Sequence, residues 1–358
     1  MKILILANSD GGLYNFRKEL VQTLLNVGHE VIISVPMGDR VDYFIEMGCT
    51  YKEIELERHG TNPIKELKLL SKYKKLIKEV RPDIVFTYTI KPNIYGAMAC
   101  KKYKVPCVAN ITGLGTAVEN KGLSQLITVA LYKLAFRKIK KVFFQNKENM
   151  SFFQREKIAL GKHELLPGSG VNLNHFEPLD YPTSDKIEFL FISRIMKQKG
   201  IEQYLEAAKF IKQKYPNTVF NVCGGCEQDY QAKLNQLTEE GTIIYHGRIK
   251  DVKGFMKNIS CTVHPTYYPE GMSNVLLESC ACARPVITTN RAGCREIVDD
   301  GVNGYIVRAK DSSDVIEKIE KFLSLTFEQR REMGLAGRKK VEEQFDRQIV
   351  IDKYLGEL

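Results

Sequence analysis

No apolar run in this chain approaches the roughly 18 residues needed to span a bilayer. The opening stretch, MKILILANSDGG, is too short in its apolar part for a signal peptide and has no small-residue cleavage site, so it predicts a first β-strand. The chain also lacks low-complexity segments and short repeats. These absences favour an ordinary globular protein of the cytoplasm, with reduced thiols.

Sequence patterns for metal or redox chemistry are weak. Cysteine is plentiful, with nine residues, but only Cys223-Gly-Gly-Cys226 has the CxxC spacing. No two histidines have the spacing of a metal pair, and a structural role is the simpler interpretation of His246 and His264 at the ends of strands. There is no Asp-x-Asp motif. We therefore predict no metal site and no cofactor.

Glycines follow the first strand, before a helix that we predict near residues 16–28. Within Asn8-Ser-Asp-Gly-Gly12, Gly11 and Gly12 would let the backbone approach a ligand closely, although a tight strand–helix turn needs the same glycines. The spacing is not G-x-G-x-x-G, and Gly113-Leu-Gly115 has no third glycine. A dinucleotide dehydrogenase is therefore disfavoured.

The net charge of +10 is concentrated in one part of the chain. Residues 61–160 carry 20 Lys and Arg against 6 Asp and Glu, whereas the flanking parts are slightly acidic. A helix predicted over 122–139 has one apolar side, and basic residues crowd its end: Lys133, Arg137, Lys138, Lys140 and Lys141. This pattern predicts a patch that binds an anionic membrane surface. A core helix with a basic last turn and a nucleic-acid-binding surface are the alternatives.

Short apolar strands alternate with helical patterns along the chain, which is typical of parallel sheets covered on both faces. In the first half we predict strands at Lys2–Ala7, Glu30–Val35, Asp83–Tyr88, Cys107–Thr112 and Lys141–Gln145, and further helices near 63–80, 93–103 and 147–156. In the second half we predict strands at Ile187–Ser193, Val219–Cys223, Thr242–His246, Cys261–His264, Val286–Thr289 and Gly304–Val307. Helices are predicted there near 199–214, 228–240, 250–257, 274–283, 294–299, 312–324 and 328–344. The fold class is therefore α/β, with two doubly wound, Rossmann-like domains whose strand ends face an interdomain cleft.

The stretch PEGMSNVLLESCACARP, residues 269–285, combines a helix start with two carboxylates. Its proline and glycine break the preceding structure, and Ser273 or Asn274 can cap the helix. The N–H groups at the start of a buried helix bind anions, whereas Glu270 and Glu278 would repel a bare phosphate. A ligand that carries sugar hydroxyls as well as phosphates satisfies both demands.

Two cations follow a buried strand in the segment FISRIMKQKG. Arg194 ends the strand and Lys199 starts the next helix, so both are expected at the carboxyl end of the sheet. A guanidinium fork and an ammonium group suit a diphosphate. The alternative is a charged loop that only contacts solvent. The segment alone favours that alternative, and residues 269–285 make the binding site the better interpretation.

Together these segments resemble the retaining, GT-B-fold glycosyltransferases of family 4. The resemblance covers nearly the whole chain and is strongest over 187–308, with SRIMKQKGIEQYLEAA, NVCGGCEQDY, IIYHGRIKDV, HPTYYPEGMSNVLLESCACARPVITT and GCREIVDDGVNGYIV. It implies an acceptor-binding domain over 1–170 and a nucleotide-sugar-binding domain over 171–344, with a C-terminal helix, 345–358, packing back on the first. The opening ANSDGGLYNFRKEL resembles members that build capsule, exopolysaccharide and lipid-linked oligosaccharides.

The resemblance also implies roles for individual residues. Arg194 and Lys199 would bind the diphosphate of a UDP-sugar, Glu270 the hydroxyls of the donor sugar, and Glu278 those of the ribose. Arg194, Lys199 and Glu270 are the predicted catalytic residues. The remaining predicted donor-binding residues are Gly11, Gly12, Gly224, His246, Ile249, Gly271, Met272 and Ser273. Many relatives have a histidine where this chain has Thr112, which we assign with the basic patch to the acceptor and membrane side.

The predicted function is metal-independent, retaining transfer of a hexose or N-acetylhexosamine from a UDP-sugar to a polyprenyl-diphosphate-linked saccharide. The expected location is the inner face of the cytoplasmic membrane, as a peripheral protein, and no nucleic-acid partner is expected. Two alternatives stay open. A nucleotide-sugar 2-epimerase of the same double fold would act without an acceptor, and a basic membrane- or nucleic-acid-binding protein would lack catalysis.

Overall fold

The computed structural model describes residues 1–56, 62–115, 122–269 and 271–358. The chain has two compact units, one made of residues 1–169 and 348–358, the other of residues 170–347. Each unit contains one parallel sheet with helices packed on it. The predicted α/β class with two parallel-sheet domains is confirmed.

The first unit contains a seven-stranded sheet. Its strands are β1 (Lys2–Leu6), β2 (Glu30–Ser34), β3 (Thr50–Tyr51), β4 (Ile84–Tyr88), β5 (Cys107–Ile111), β6 (Lys141–Phe144) and β7 (His163–Leu165). The helices between them are α1 (Asp10–Asn26), α2 (Val41–Glu46), α3 (Pro63–Val80), α4 (Ala97–Tyr103), α5 (Leu123–Ala135) and α6 (Lys147–Arg155). The strand order is β3-β2-β1-β4-β5-β6-β7, and the pairings are parallel.

Side chains of β1 alternate between the two faces of this sheet. Leu4 and Leu6 pack in a cluster with residues of α3, α4 and α5, whereas Ile3 and Ile5 pack in a second cluster with α1 and α2. All four side chains are fully buried. Because both faces of the sheet are covered, nearly every residue of β1 is apolar, as the sequence shows.

The second unit repeats the arrangement with six strands. They are β8 (Ile187–Ile192), β9 (Thr218–Cys223), β10 (Ile244–Tyr245), β11 (Cys261–His264), β12 (Val286–Thr289) and β13 (Gly304–Val307). The helices are α7 (Ile201–Lys214), α8 (Gln231–Glu239), α9 (Val252–Phe255), α10 (Asn274–Ala281), α11 (Ser312–Leu323) and α12 (Phe327–Gln344). The order is β10-β9-β8-β11-β12-β13, so β8 and β11 lie at the centre, where the chain reverses direction across the sheet.

The last helix, α13 (Arg347–Leu355), leads the chain back to the first unit. Tyr354 is fully buried there, with its ring centroid 5.0 Å from those of Phe86 and Phe143. Its hydroxyl accepts a hydrogen bond from Asn110 Nδ2 at 2.9 Å. The C-terminal residues are therefore part of the core of the first unit.

Several predicted element boundaries were wrong. The helix predicted from residue 16 begins at Asp10, because Ser9 caps it by accepting a hydrogen bond from the Gly12 N–H at 3.2 Å. The helix predicted at 294–299 does not form; its residues make turns, although Cys294 and Ile297 are buried. The basic helix predicted to reach residue 139 ends at 135, and a short 3₁₀ turn follows it. The pattern also missed β3, β7 and α2, which are short.

Candidate active site

Loops leave the carboxyl ends of β8, β9, β10 and β11, the edge where open parallel sheets bind ligands. In the β9 loop, the Gly224 N–H donates to the Gly247 carbonyl at 2.7 Å and the Gly225 carbonyl accepts from the Ile195 N–H at 2.9 Å. The β11 loop joins through Tyr267, whose N–H donates to a carbonyl of the β8 loop at 2.9 Å. These bonds make one continuous rim along the sheet edge.

Two glycines allow the rim loops to approach each other. Gly224 has φ +140°, and a Cβ there would overlap the carbonyl oxygen of Ser193. Gly200 has φ +81°, and a Cβ there would overlap the carbonyl oxygen of Pro265. Gly224 was predicted in the donor site; in the structure its missing side chain makes room for the neighbouring loop.

The structure brings together the two cations predicted for a diphosphate. The Arg194 Cζ atom lies 5.3 Å, and the Lys199 Nζ atom 4.7 Å, from the centre of the Tyr268 ring. Arg194 is exposed and its Nη1 donates to Glu227 Oε2 at 2.9 Å, whereas Lys199 is only 7% exposed. Tyr268 and Glu227 were missed from the sequence. The doubled tyrosine just before Glu270 was the available signal, since aromatic rings at a strand end attract cations.

The residues before and at the start of α10, Gly271, Met272 and Ser273, are also predicted to bind the donor. Met272 and Ser273 are buried, and the Ser273 N–H donates to the Gly293 carbonyl at 2.8 Å. Ser273 occupies the position before the helix, but its hydroxyl makes no capping hydrogen bond. The predicted amide of Ser273 is therefore already bound within the unit. Glu270 lies outside the described residues, and Gly271, next to it, is buried.

Glu278 lies in the second turn of α10 and is half-buried. Burial raises the pKa of its carboxyl to about 7, and the positive charge of Arg347 opposes part of that rise. Arg347 is itself buried, and its Nη2 donates to the Gly170 carbonyl at 3.1 Å. A carboxyl in this state suits neutral hydroxyl partners better than a second anion.

The two strand-end histidines of this unit have structural surroundings. His246 Nε2 lies 2.8 Å from Asn221 Oδ1, the ring packs on Phe255 at 4.7 Å, and partial burial lowers the pKa. Ile249, predicted near the base, packs against the core cluster of α10. His264 is fully buried, and burial together with nearby Lys199 lowers its pKa to about 3. Burial therefore favours the neutral form of both rings.

In the first unit, the predicted glycines lie in the first turn of α1. Ser9 Oγ accepts from the Gly12 N–H, and the Asp10 carboxylate accepts from the Arg40 N–H at 2.9 Å. A Cβ on Gly11 or Gly12 would meet atoms no nearer than 3.7 Å, which is ordinary contact. Neither position has a positive φ. The unit itself gives no steric reason for either glycine.

The basic patch is only partly free of acidic partners. Three of its lysines form ion pairs: Lys133 with Glu156 at 3.6 Å, Lys140 with Glu357 at 3.4 Å, and Lys141 with Glu164 at 2.9 Å and with Glu357 at 3.4 Å. Arg137 and Lys138 are exposed. Thr112 follows β5 and is half-buried. The charge surplus counted from the sequence is therefore larger than the charge that this patch presents.

Helix α5, beside the patch, presents an apolar side that the described residues of the unit leave exposed. Its exposed side chains recur at helical spacing, with Leu126 66% exposed: Leu123, Leu126, Ile127 and Leu134. On α3, Ile64 and Leu67 are also exposed. Among the described helices, none combines the length and the apolar character that a bilayer crossing requires.

The cysteines form no disulfide bond and no metal site among the residues that the structure describes. All nine are free thiols, and Cys223 is buried while Cys226 is half-buried. Among the residues that the structure describes, no three His, Cys, Asp or Glu side chains gather as metal ligands.

Most of the chain matches models of glycosyltransferase families. Residues 2–146 match the family model described as Glycosyl transferase 4-like, and residues 180–340 match Glycosyl transferases group 1. The first match lies within the first unit and the second within the second unit.

Individual relatives align over almost the full length. The N,N'-diacetylbacillosaminyl-diphospho-undecaprenol alpha-1,3-N-acetylgalactosaminyltransferase of Campylobacter jejuni is 26% identical, over 99% of this chain and 97% of its own. The capsular polysaccharide biosynthesis glycosyltransferase CapM of Staphylococcus aureus is 27% identical, over 85% of each chain. The Anabaena protein HepE, solved with UDP and glucose, has a TM-score of 0.81 at 19% identity, covering 100% of this chain and 98% of its own.

Proposed function

Because the chain belongs to the GT-B glycosyltransferases, with a 4-like first part and a group 1 second part, we propose that it moves a sugar from a UDP-sugar to a saccharide on polyprenyl diphosphate. The observation that carries the proposal is the pair Arg194 and Lys199, gathered at the strand ends of the second unit. The C. jejuni relative, by its name, acts on an undecaprenol-diphosphate acceptor, and the Anabaena structure contains UDP. Both support these substrate classes.

The donor would bind along the rim of the second unit. Arg194 offers a planar fork of donors and Lys199 a nearly buried ammonium, which together suit the two phosphates of UDP. Glu278, whose pKa is raised to about 7 by burial, would take hydrogen bonds from the ribose hydroxyls. Glu270 would take those of the donor sugar, a hexose or N-acetylhexosamine. Gly11 and Gly12 would border the phosphates.

The proposed transfer retains the anomeric configuration. The acceptor hydroxyl forms a bond to the anomeric carbon on the face from which UDP departs, and the leaving phosphate oxygen takes the hydroxyl proton. The main catalytic effect is stabilisation of the negative charge that develops on the departing diphosphate. Arg194, Lys199 and the N–H groups at the start of α10 would supply that stabilisation without a metal ion.

The acceptor would approach the first unit at a membrane surface. The exposed apolar residues of α5 would enter the headgroup region, and Arg137 and Lys138 would face anionic lipid. Such a protein would be peripheral on the inner face of the cytoplasmic membrane and would act in surface polysaccharide or lipid-linked oligosaccharide synthesis.

The first experiment is UDP release by the purified protein across a panel of UDP- and GDP-sugars, with and without a detergent-solubilised polyprenyl-diphosphate sugar. We expect release only when one UDP-sugar and the lipid acceptor are both present, and at an undiminished rate in EDTA. Isomerised nucleotide-sugar formed without acceptor would instead identify an epimerase, and absence of nucleotide binding would identify a non-catalytic protein. The anomeric configuration of the product, read by NMR, tests retention.

A further inference from the structure

One aromatic ring lies beside both cations of the donor site. The Tyr268 ring centre is 5.3 Å from Arg194 Cζ and 4.7 Å from Lys199 Nζ, and both distances are within the range of a cation–π interaction. The two positive groups are therefore no more than about 10 Å apart. Arg194 also donates to Glu227, so its guanidinium contacts both a carboxylate and a ring.

The backbone of Tyr268 is tied to the segment that carries Lys199. The Tyr268 N–H donates to Thr266 Oγ1 at 3.2 Å, and that hydroxyl donates to the Gln198 carbonyl at 3.3 Å. Gly200 lies directly against the Pro265 backbone, where no side chain would fit. The backbone segments that carry Tyr268 and Lys199 are therefore held together in one hydrogen-bonded part of the rim.

Arg194 and Lys199 carry like charges that repel each other, and the Glu227 carboxylate offsets part of that repulsion at Arg194. The negative face of an aromatic ring attracts both, and the attraction is stronger for a desolvated group such as Lys199, which is 7% exposed. A ring in this position lowers the entropy lost when the two cations close on a ligand.

We propose that Tyr268 is a positioning residue that holds Arg194 and Lys199 together for the diphosphate of the donor. The inference rests on the proposed function, since it assumes that these cations bind a nucleoside diphosphate. Tyr268 itself acts through them and does not take part in bond making.

The test compares UDP with uridine, which lacks the diphosphate, by calorimetric titration of the full chain. Tyr268→Leu is expected to weaken UDP binding about tenfold and to leave uridine binding unchanged, because only the diphosphate uses the cations. Tyr268→Phe keeps the ring and loses only the hydroxyl that hydrogen-bonds with Arg194, so it is expected to weaken UDP binding by about threefold at most. The matched control is Tyr267→Leu, since the neighbouring ring lies over Lys310 at 5.0 Å and not over the donor cations.

Three results would overturn the inference. Unchanged UDP affinity in Tyr268→Leu, equal losses for UDP and uridine, or the same loss in Tyr267→Leu would each give Tyr268 no specific role in diphosphate binding. Arg194→Ala and Lys199→Ala separate this failure from that of the proposed function. If both alanine variants bind UDP normally, the donor site itself is wrong; if they lose UDP and Tyr268→Leu does not, only the positioning role is wrong.

Discussion

The segments that follow β9 in the second unit and β1 in the first both contain glycines, Gly224 directly after its strand and Gly11 and Gly12 in the first turn of α1. Gly224 has a positive φ and lies against the Ser193 carbonyl, so the second unit needs it for its own packing. Gly11 and Gly12 lie in a helix without a positive φ, and a Cβ at either position would make only an ordinary contact with Ser9. Glycines near strand ends thus answer a packing demand within the second unit but not within the first.

This difference bears on where ligand contacts are to be sought. A glycine that costs helix stability and relieves no clash within its unit is best explained by something that approaches from outside. Gly224, whose missing side chain makes room for the neighbouring loop, gives no information about a ligand contact. By this criterion Gly11 and Gly12 are better candidates for a ligand contact than Gly224.

The sharpest test of the comparison is Gly224→Ala. A methyl group would overlap the Ser193 carbonyl, and we expect the free energy of unfolding to fall by about 4 kcal/mol or more. Gly247→Ala is the control, because Gly247 also has a positive φ but no atom within 4 Å of its added Cβ, and it should lose about 1–2 kcal/mol. Urea unfolding measures both, and equal losses would contradict the packing explanation.

Removing the cations of the second unit should abolish most activity without unfolding it. For Lys199→Ala and Arg194→Ala we expect the kcat/KM of transfer to fall by about 10²–10³, roughly 3–4 kcal/mol of transition-state stabilisation. Lys197→Ala is the matched control, since that side chain is 61% exposed and pairs with Glu202. A fall of similar size in the control would show that charge near the rim matters, and not the two specific groups.

The carboxyl of Glu278 should make stability depend on pH. Because burial raises its pKa from 4.5 to about 7, the folded protein holds a proton that the unfolded chain releases between these values. The resulting stability is fully present below pH 4.5 and is lost as the pH rises through about 7. Between pH 5 and 8 we expect the unfolding free energy of the original protein to drop by about 2 kcal/mol relative to Glu278→Gln.

The pH experiment compares urea unfolding of the two proteins at several pH values. Glu239→Gln, a change at an exposed carboxylate of α8, should keep the pH dependence of the original protein. An identical pH profile for the original protein and Glu278→Gln would place the pKa of Glu278 near its ordinary value.

In the first unit, Gly11→Ala should separate stability from activity. Alanine favours the first turn of α1 and meets no clash, so we expect the unfolding free energy to stay equal or rise by about 0.5–1 kcal/mol. Transfer from the UDP-sugar should nevertheless fall, because the methyl group would occupy the space proposed for the donor phosphates. Unchanged transfer would leave that glycine without a role in the donor site.

The smallest expected effect concerns the exposed face of α5. Leu126→Asp should lower binding to vesicles containing anionic lipid by several-fold, on the order of 1 kcal/mol, while stability stays within about 0.5 kcal/mol. Leu160→Asp is the control, since Leu160 is 58% exposed in the same unit but lies outside this helix. Equal losses of binding in a sedimentation assay would remove α5 from the membrane-binding surface.

Local pattern accounts for the parts of the fold that were predicted well. The strands Ile84–Tyr88 and Ile187–Ile192 were both placed within a residue because each is a short apolar run rich in β-branched and aromatic residues, which is typical of a buried strand. The helix predicted at 294–299 failed for the complementary reason. Cys294 and Ile297 have the spacing of a helix face and are buried, but the chain reaches that burial through turns.

The order of residues along the chain was enough to predict the two parallel sheets and the position of Arg194 and Lys199 at a strand end, because strand direction and loop position follow from that order. The folded structure was needed to see which charges are already paired and which ring lies beside the two cations. Lys140 and Lys141 meet Glu357 from the far end of the chain, and Tyr268 reaches two cations on another loop. Such contacts join residues distant in sequence, and no spacing encodes them.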